Sequence, residues 1–195
     1  MSGVEGLAAL WRARRGPCPP LAHRFRTVYA DRWVRLHSLP GSKRYPEDES
    51  EYAVVLGRYN TALDELFAGQ EVFVVSMDWS DTADGPVGDA SPRPRLHPEG
   101  ERWWTESDVS DPDPACHVHF RLYADRRPWR RGCVDPLLRA VADEKVAEVF
   151  VTDTGLRRIH HPYDGGADLI LTTPAERDGV RARHQAWLSG HPTGL

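Results

Sequence analysis

The spacing of apolar residues predicts helices and strands along most of the chain. Between residues 49 and 68 they recur every three or four positions, which predicts an amphipathic helix that ends at Gly69. Residues 71–77 form a continuous apolar run that is too short for a helix and typical of a buried strand. Apolar and polar residues alternate in 23–29 and 32–37, so two more strands are predicted there.

The second half of the chain continues with strands and two well-marked helix starts. Alternation returns in residues 116–123, and three further strands are predicted at 146–152, 156–161 and 168–172. These three strands form a meander whose last turn contains Gly165 and Gly166. Helices are predicted to begin at Asp135 and Thr173, because each is a capping residue followed by proline.

Both ends of the chain carry helix signals. Residues Ser2 to Glu5 form a capping box, which predicts a short first helix that Gly16 ends. Gly190 is predicted to end the last helix.

Residues 79–114 interrupt this regular pattern. They contain six prolines and nine acidic residues, with little periodicity, which predicts a long acidic surface loop. Trp103 and Trp104 lie in its centre, and we expect their aromatic rings to anchor the loop to the body of the protein.

Together the elements predict an α+β fold. Strands joined by hairpins indicate a mainly antiparallel, mixed sheet that is covered by helices. We find no internal repeat and no linker, so residues 1–195 are expected to form a single domain with the 79–114 loop on its surface.

Composition narrows the class of protein. No apolar run is long enough to cross a bilayer, and the N-terminus lacks the apolar centre of a signal peptide, so we expect a cytoplasmic protein. Three widely spaced cysteines argue against a disulfide framework and against a zinc knuckle: Cys18, Cys116 and Cys133.

Charge is divided along the chain, although the net charge is only −4. Residues 1–45 carry nine basic and two acidic residues, whereas 79–114 carry nine acidic and three basic residues. The two segments either face each other in the fold or give the surface two poles that steer a charged partner. The overall acidity argues against nucleic acid as a ligand.

A first dense polar stretch runs from Trp33 to Tyr45. Its guanidinium, ammonium, imidazole and hydroxyl groups surround a Pro-Gly turn, a composition that favours an anion site. The candidate ligand-binding residues are Arg35, His37, Ser42, Lys43, Arg44 and Tyr45. Alternatively, these groups bond to carboxylates of the acidic loop or of the next helix start, at Glu47, Asp48 and Glu49.

A second dense stretch runs from His160 to Asp168. It sets imidazole, phenol and carboxylate groups beside a Gly-Gly turn, where the backbone can approach a ligand closely. The candidate ligand-binding residues are His160, Tyr163 and Asp168. The alternative is a hairpin whose Asp164-Gly-Gly sequence only satisfies turn geometry, but that alternative does not explain the histidines.

Signals for metals and cofactors are weak. His117 and His119 share one strand face and are weak candidate metal ligands, with a third ligand from the second stretch. Sheet histidines that are merely hydrogen-bonded are the alternative, and neither a P-loop nor a G-x-G-x-x-G motif is present. We therefore predict no metal and no cofactor.

The two stretches also resemble a known family. Residues 33–45, the Arg58-Tyr-Asn sequence and residues 161–168 resemble the signature stretches of a bacterial domain-of-unknown-function family, DUF3885. This resemblance implies a bacterial, single-domain protein and brings no activity, cofactor or catalytic residue with it.

From the residues, the first hypothesis is a non-catalytic binding module for an anionic small molecule or a protein partner. The second is a hydrolase acting on a phosphoryl or acyl substrate. Its general base would be His37 or His160, and its orienting carboxylate Asp164 or Asp168. Both hypotheses require the two dense stretches to line one cleft, and the oligomeric state stays open.

Overall fold

The computed structural model describes residues 4–82 and 91–189, and a seven-stranded sheet forms its centre. The strands in chain order are β1 (Trp33–His37), β2 (Glu71–Ser80), β3 (Glu101–Asp108), β4 (Val118–Pro128), β5 (Phe150–Asp153), β6 (Ile159–Tyr163) and β7 (Gly166–Ile170). Their order across the sheet is β1-β7-β6-β5-β2-β4-β3, and every pairing is antiparallel. The predicted α+β class is confirmed, and so is the meander of β5, β6 and β7.

Among the described residues, six α-helices accompany the sheet. They are α1 (Leu7–Arg15), α2 (Ala22–Val28), α3 (Glu49–Phe67), α4 (Arg93–Leu96), α5 (Asp135–Ala142) and α6 (Pro174–Arg183). The predicted start of α6 at Thr173 is confirmed, because Thr173 Oγ1 accepts a hydrogen bond from the Glu176 backbone N–H. The Glu176 carboxylate accepts one from the backbone N–H of the preceding Thr172. None of the helices among the described residues is long and apolar enough to cross a membrane.

Both faces of the sheet are buried. In β2, Val72 and Val74 belong to a core with α3, α5 and α6, whereas Phe73 and Val75 belong to a second core with α1 and α2. Successive strand residues point to opposite faces, so each face of β2 contributes to its own core. This double burial explains why the sequence of β2 is apolar without alternation.

Residues 23–29 were predicted as a strand, and this prediction is wrong. They lie mostly in α2, where Ala22, Phe25 and Tyr29 are buried. Their spacing of three and four residues follows one side of a helix, so packing on the second core selects the helical alternative.

The prediction of an irregular loop at 79–114 is also wrong in part. Residues 101–108 form β3, which pairs with β4, and β2 continues to Ser80. Trp103 packs against Trp11 with ring centroids 5.9 Å apart, and the Arg12 guanidinium lies 4.6 Å from the Trp104 ring centroid. The expected anchoring by the two tryptophans is confirmed, and it joins the acidic segment to the basic one.

Several predicted boundaries shift. β4 begins at Val118 and β5 at Phe150, later than predicted. The residue before α5 is Val134, and Asp135 is the first helical residue instead of its cap. The Ser2 end of the N-terminal capping box and the stop at Gly190 lie outside the described residues.

Candidate functional site

The two dense polar stretches meet where β1 lies beside β7. Arg35 is directly opposite Asp168, and the two side chains share hydrogen bonds of 2.7 Å from Nε to Oδ1 and 2.9 Å from Nη2 to Oδ2. The Ser38 backbone N–H donates to the Gly165 carbonyl at 3.1 Å. The two dense stretches are therefore adjacent in the sheet.

Gly166 makes this close approach possible. A Cβ atom at this position would lie 2.2 Å from the Leu36 carbonyl oxygen and 3.1 Å from His37 Cα. Both are backbone atoms that cannot move aside, so any other residue would force β1 away from β7.

Basic groups of the first stretch are mostly neutralised by carboxylates. Lys43 Nζ donates to both Glu51 oxygens, at 2.7 and 2.8 Å, and lies 3.3 Å from Glu47. Arg44 pairs with Asp164 across the two stretches. Burial alone would lower the pKa of Arg35, but the hydrogen bonds to Asp168 outweigh it and raise that pKa.

The remaining residues of the first stretch lie at its exposed turn or at the strand end. Ser42 ends a 3-10 turn in a left-handed conformation with φ 58°, and Tyr45 Oη donates to Glu144 at 3.3 Å. His37 ends β1, and its Nε2 is buried without a hydrogen-bond partner. Burial, followed by the charge of Arg35, lowers the pKa of His37.

His160 and His161 point to opposite faces of β6. His160 is fully buried, with its ring centroid 5.9 Å from that of Tyr59 in an edge-to-face arrangement. Burial lowers the pKa of His160 to about 3, so the imidazole is neutral at neutral pH. This candidate general base is therefore closed off from solvent.

His161 lies on the other face, directly opposite Asp168. Its side chain is buried, and Nδ1 has no hydrogen-bond partner. Burial lowers the pKa of His161, although the charges of Glu148 and Asp168 oppose the shift. A neutral imidazole with a free nitrogen can accept a hydrogen bond from a ligand.

A pocket of about 330 Å³ opens beside His161. It is bordered by the chain after α5 and by the β6–β7 hairpin, and its lining is Val141, Glu144, Val146, Ala147, Glu148, His161, Pro162, Tyr163 and Asp164. Among these residues there are three carboxylates and neither an arginine nor a lysine. The pocket is therefore negatively charged, unlike the basic site that the sequence predicts.

Each carboxylate of the pocket has a contact elsewhere in the chain. Burial would raise the pKa of Glu148, but the hydrogen bonds from His23 together with the charges of His161 and His23 outweigh it and hold that pKa below its ordinary value. Glu148 accepts from the His23 backbone at 3.2 Å and lies 3.0 Å from His23 Nδ1. Asp164 forms an ion pair with Arg44, whereas Glu144 accepts a hydrogen bond from the neutral Tyr45 hydroxyl.

Sequence reasoning did not assign Glu144, Glu148 or His161 to a site. The two glutamates adopt left-handed backbone conformations, with φ of 55° and 56°, which are uncommon outside glycine. The acidic sequence from Asp143 to Glu148 is the only signal in the sequence that could have indicated the pocket beside His161. That signal is weak, because acidic residues are common in exposed turns.

His117 and His119, the weak candidate metal ligands, form hydrogen bonds with other groups of the chain. His119 Nδ1 lies 2.7 Å from Ser107 Oγ, and His117 Nε2 lies 3.0 Å from the Asp111 carbonyl oxygen. Across residues 4–82 and 91–189, no group of three or more histidine, cysteine, aspartate or glutamate side chains could hold a metal ion.

A serine, histidine and aspartate network lies under α4, which the sequence did not indicate. Ser76 Oγ is 2.6 Å from His97 Nδ1, and His97 Nε2 is 2.6 Å from Asp125 Oδ1. The residue types are those of a hydrolase triad, but the two imidazole nitrogens are exchanged, since a triad sets Nε2 against the serine and Nδ1 against the aspartate. Ser76 and His97 are also only 1% and 2% exposed. Beside them Arg93 binds Asp78, so the network fixes the 91–100 segment to the sheet.

Comparisons with known proteins identify the family of the chain but no individual similar protein. A family model described as a domain of unknown function (DUF3885) matches residues 21–192, nearly the whole chain. No curated protein and no solved structure matches the chain.

Proposed function

The chain belongs to the DUF3885 family, a domain of unknown function, and from its site we propose a non-catalytic binding module for a small organic cation. The ligand carries an ammonium or guanidinium group and occupies the pocket beside His161. One observation carries the proposal: three carboxylates converge on this pocket, and no arginine or lysine of the described residues lines it.

The pocket suits a small molecule in size and in lining. Its volume of about 330 Å³ is at the lower end of the range of roughly 300 to 1,000 Å³ for ligand sites. Glu144, Glu148 and Asp164 can accept hydrogen bonds from the cationic head, and His161 Nδ1 can accept one more. Val146 and Pro162 can contact the hydrocarbon part of the ligand.

The anionic ligand expected from the sequence stays a prediction with less support. Arg35, Lys43 and Arg44 each hold a carboxylate already. An anion at this edge would have to displace those carboxylates and would meet the negative lining of the pocket. Charge complementarity therefore favours a cation.

The hydrolase alternative also has less support. His160 is fully buried, so its neutral imidazole cannot reach a substrate, and Asp168 is bound on both oxygens by Arg35. A general base must reach the proton that it removes, which His160 cannot do from inside the core.

Methylguanidinium is the probe that tests the proposal. Titration of the ¹⁵N-labelled protein at constant ionic strength is expected to shift the amide signals of residues 144–148 and 161–164 in a saturable way. Glu148→Gln removes a charged acceptor, so affinity falls by about tenfold or more. Tetramethylammonium has no N–H donor and is expected to bind more weakly.

Glu5→Gln is the matched control. It also removes one exposed carboxylate, but at a position far in sequence from the residues that line the pocket. Equal affinity of Glu148→Gln and wild type would contradict the proposal. Saturable binding of inorganic phosphate that is lost in Arg44→Ala would support the anionic ligand instead. Turnover of p-nitrophenyl phosphate or acetate that disappears in His160→Ala would support the hydrolase.

A further inference from the structure

A second polar cluster lies behind the pocket, on the opposite face of β6. Both ring nitrogens of His160 are buried without hydrogen-bond partners, and Ser38 Oγ lies beside the Tyr59 hydroxyl. Ser38 is 1% exposed and His160 is fully buried. Buried polar groups are nearly always hydrogen-bonded, so the two ring nitrogens call for a bound species.

Arg58 brings an uncompensated positive charge to this cluster. Its Nη1 donates to the His37 carbonyl at 2.9 Å, and its guanidinium lies 5.1 Å from the Trp187 ring centroid. No carboxylate in the described part of the chain forms an ion pair with it. Burial lowers the pKa of Arg58 with nothing to oppose it.

The groups surround a small cavity between the sheet and α3. Its volume is about 10 Å³, and it is lined by Leu36, His37, Ser38, Arg58, Tyr59, Ala62, His160, Ala167 and Trp187. A volume on the order of 10 to 15 Å³ on this measure holds one water-sized species. A multi-atom ligand such as phosphate does not fit.

We propose that this cavity is a binding site for one small inorganic anion of halide size, held by Arg58, Ser38 and His160. The hydroxyl and the imidazole N–H donate hydrogen bonds to the anion, and the guanidinium supplies the opposite charge. A water molecule would satisfy the hydrogen bonds but would bring no negative charge to Arg58, which has no carboxylate partner within residues 4–82 and 91–189. The site is separate from the cation pocket and does not depend on it.

Bromide is the probe, because its anomalous scattering distinguishes it from water. Crystals grown in a chloride-free methanesulfonate medium and soaked in sodium bromide are expected to show an anomalous peak between Ser38 Oγ and the His160 ring. In solution, replacement of methanesulfonate by bromide at constant ionic strength is expected to raise Tm by a few degrees and to saturate.

Arg58→Gln is expected to abolish the bromide-dependent rise in Tm. Arg95→Gln removes an exposed arginine instead and is expected to retain the rise in full. Glu148→Gln, which weakens the cation pocket, is also expected to retain it.

A water-like peak without anomalous signal in the soaked wild-type crystals would overturn the proposal, and this result requires no variant to fold. A bromide effect on Tm that is the same in Arg58→Gln and wild type would also overturn it. Ser38→Ala provides a milder variant, in which the rise in Tm is expected to be smaller than in wild type.

Discussion

Arg35 and Asp168 face each other across β1 and β7 and form a two-bond ion pair that is largely shielded from water. Their side chains are 15% and 7% exposed. The pair ties the first dense stretch of the sequence to the second, and the pocket beside His161 lies next to it. Its integrity therefore determines whether the edge of the sheet keeps its shape.

Removal of one partner is expected to destabilise the protein strongly. Arg35→Leu leaves Asp168 as a buried charge without a partner, at a cost of about 3 kcal/mol in the free energy of unfolding. Urea denaturation measures this cost. The double variant Arg35→Leu, Asp168→Leu is expected to recover part of it, because no unpaired charge remains.

Asp164→Asn is the matched control for the ion pair, since it interrupts the pair with the exposed Arg44. Exposed pairs contribute little, so we expect stability close to that of the wild type. An equal loss of stability in Arg35→Leu and Asp164→Asn would contradict a special role of the Arg35–Asp168 pair.

Gly166→Ala is expected to disrupt the pairing of β1 with β7. The added Cβ would lie 2.2 Å from the Leu36 carbonyl oxygen, so we expect a loss on the order of 3 kcal/mol, measured by chemical denaturation. Gly165→Ala is a close control, because its Cβ would meet only the Arg44 side chain and the Tyr163 ring, each at 3.3 Å, and no backbone atom closer than 4.0 Å. Equal stability of the two variants would show that the strands can separate at no cost.

Stability is expected to fall as the pH decreases from about 6.5. The pKa of His160 is about 3 in the folded chain, against an ordinary value of 6.5, so the unfolded chain binds more protons between these values. Protonation then favours unfolding, by up to about 1.4 kcal/mol per pH unit for one histidine.

His160→Phe removes that contribution and is expected to flatten the dependence of unfolding free energy on pH between 4 and 6. His37 and His161 also have lowered pKa values, so a shallower slope remains. His184→Phe changes a histidine at the end of α6 that is paired with Glu65, and it is expected to leave the His160 contribution in place. An unchanged slope in His160→Phe would contradict this account.

The Ser76, His97 and Asp125 network is expected to stabilise the fold without catalysing hydrolysis. Ser76→Ala leaves His97 Nδ1 unpaired in a buried position, at a cost of about 1 to 3 kcal/mol, measured by urea denaturation. A fluorophosphonate probe is not expected to label Ser76, because the serine is 1% exposed. Labelling that is lost in Ser76→Ala would make this network a hydrolase site.

Local sequence patterns predicted most of the elements of the fold. The apolar spacing of α3, the run in β2, the meander of β5 to β7 and the cap at Thr173 are all dictated by nearby residues. Residues 23–29 and 101–108 were assigned wrongly, because their local patterns fit more than one structure. Packing of Phe25 on the second core and pairing of β3 with β4 decided between the alternatives.

For the site, the sequence by itself determined which groups are available and that two dense stretches carry them. Only the tertiary structure decided their partners, because strand register sets Arg35 against Asp168 and turns His160 and His161 to opposite faces. It also brought Glu144 and Glu148 from another segment to the pocket. The sign of the charge in a site depends on distances between remote side chains, and a linear sequence does not contain those distances.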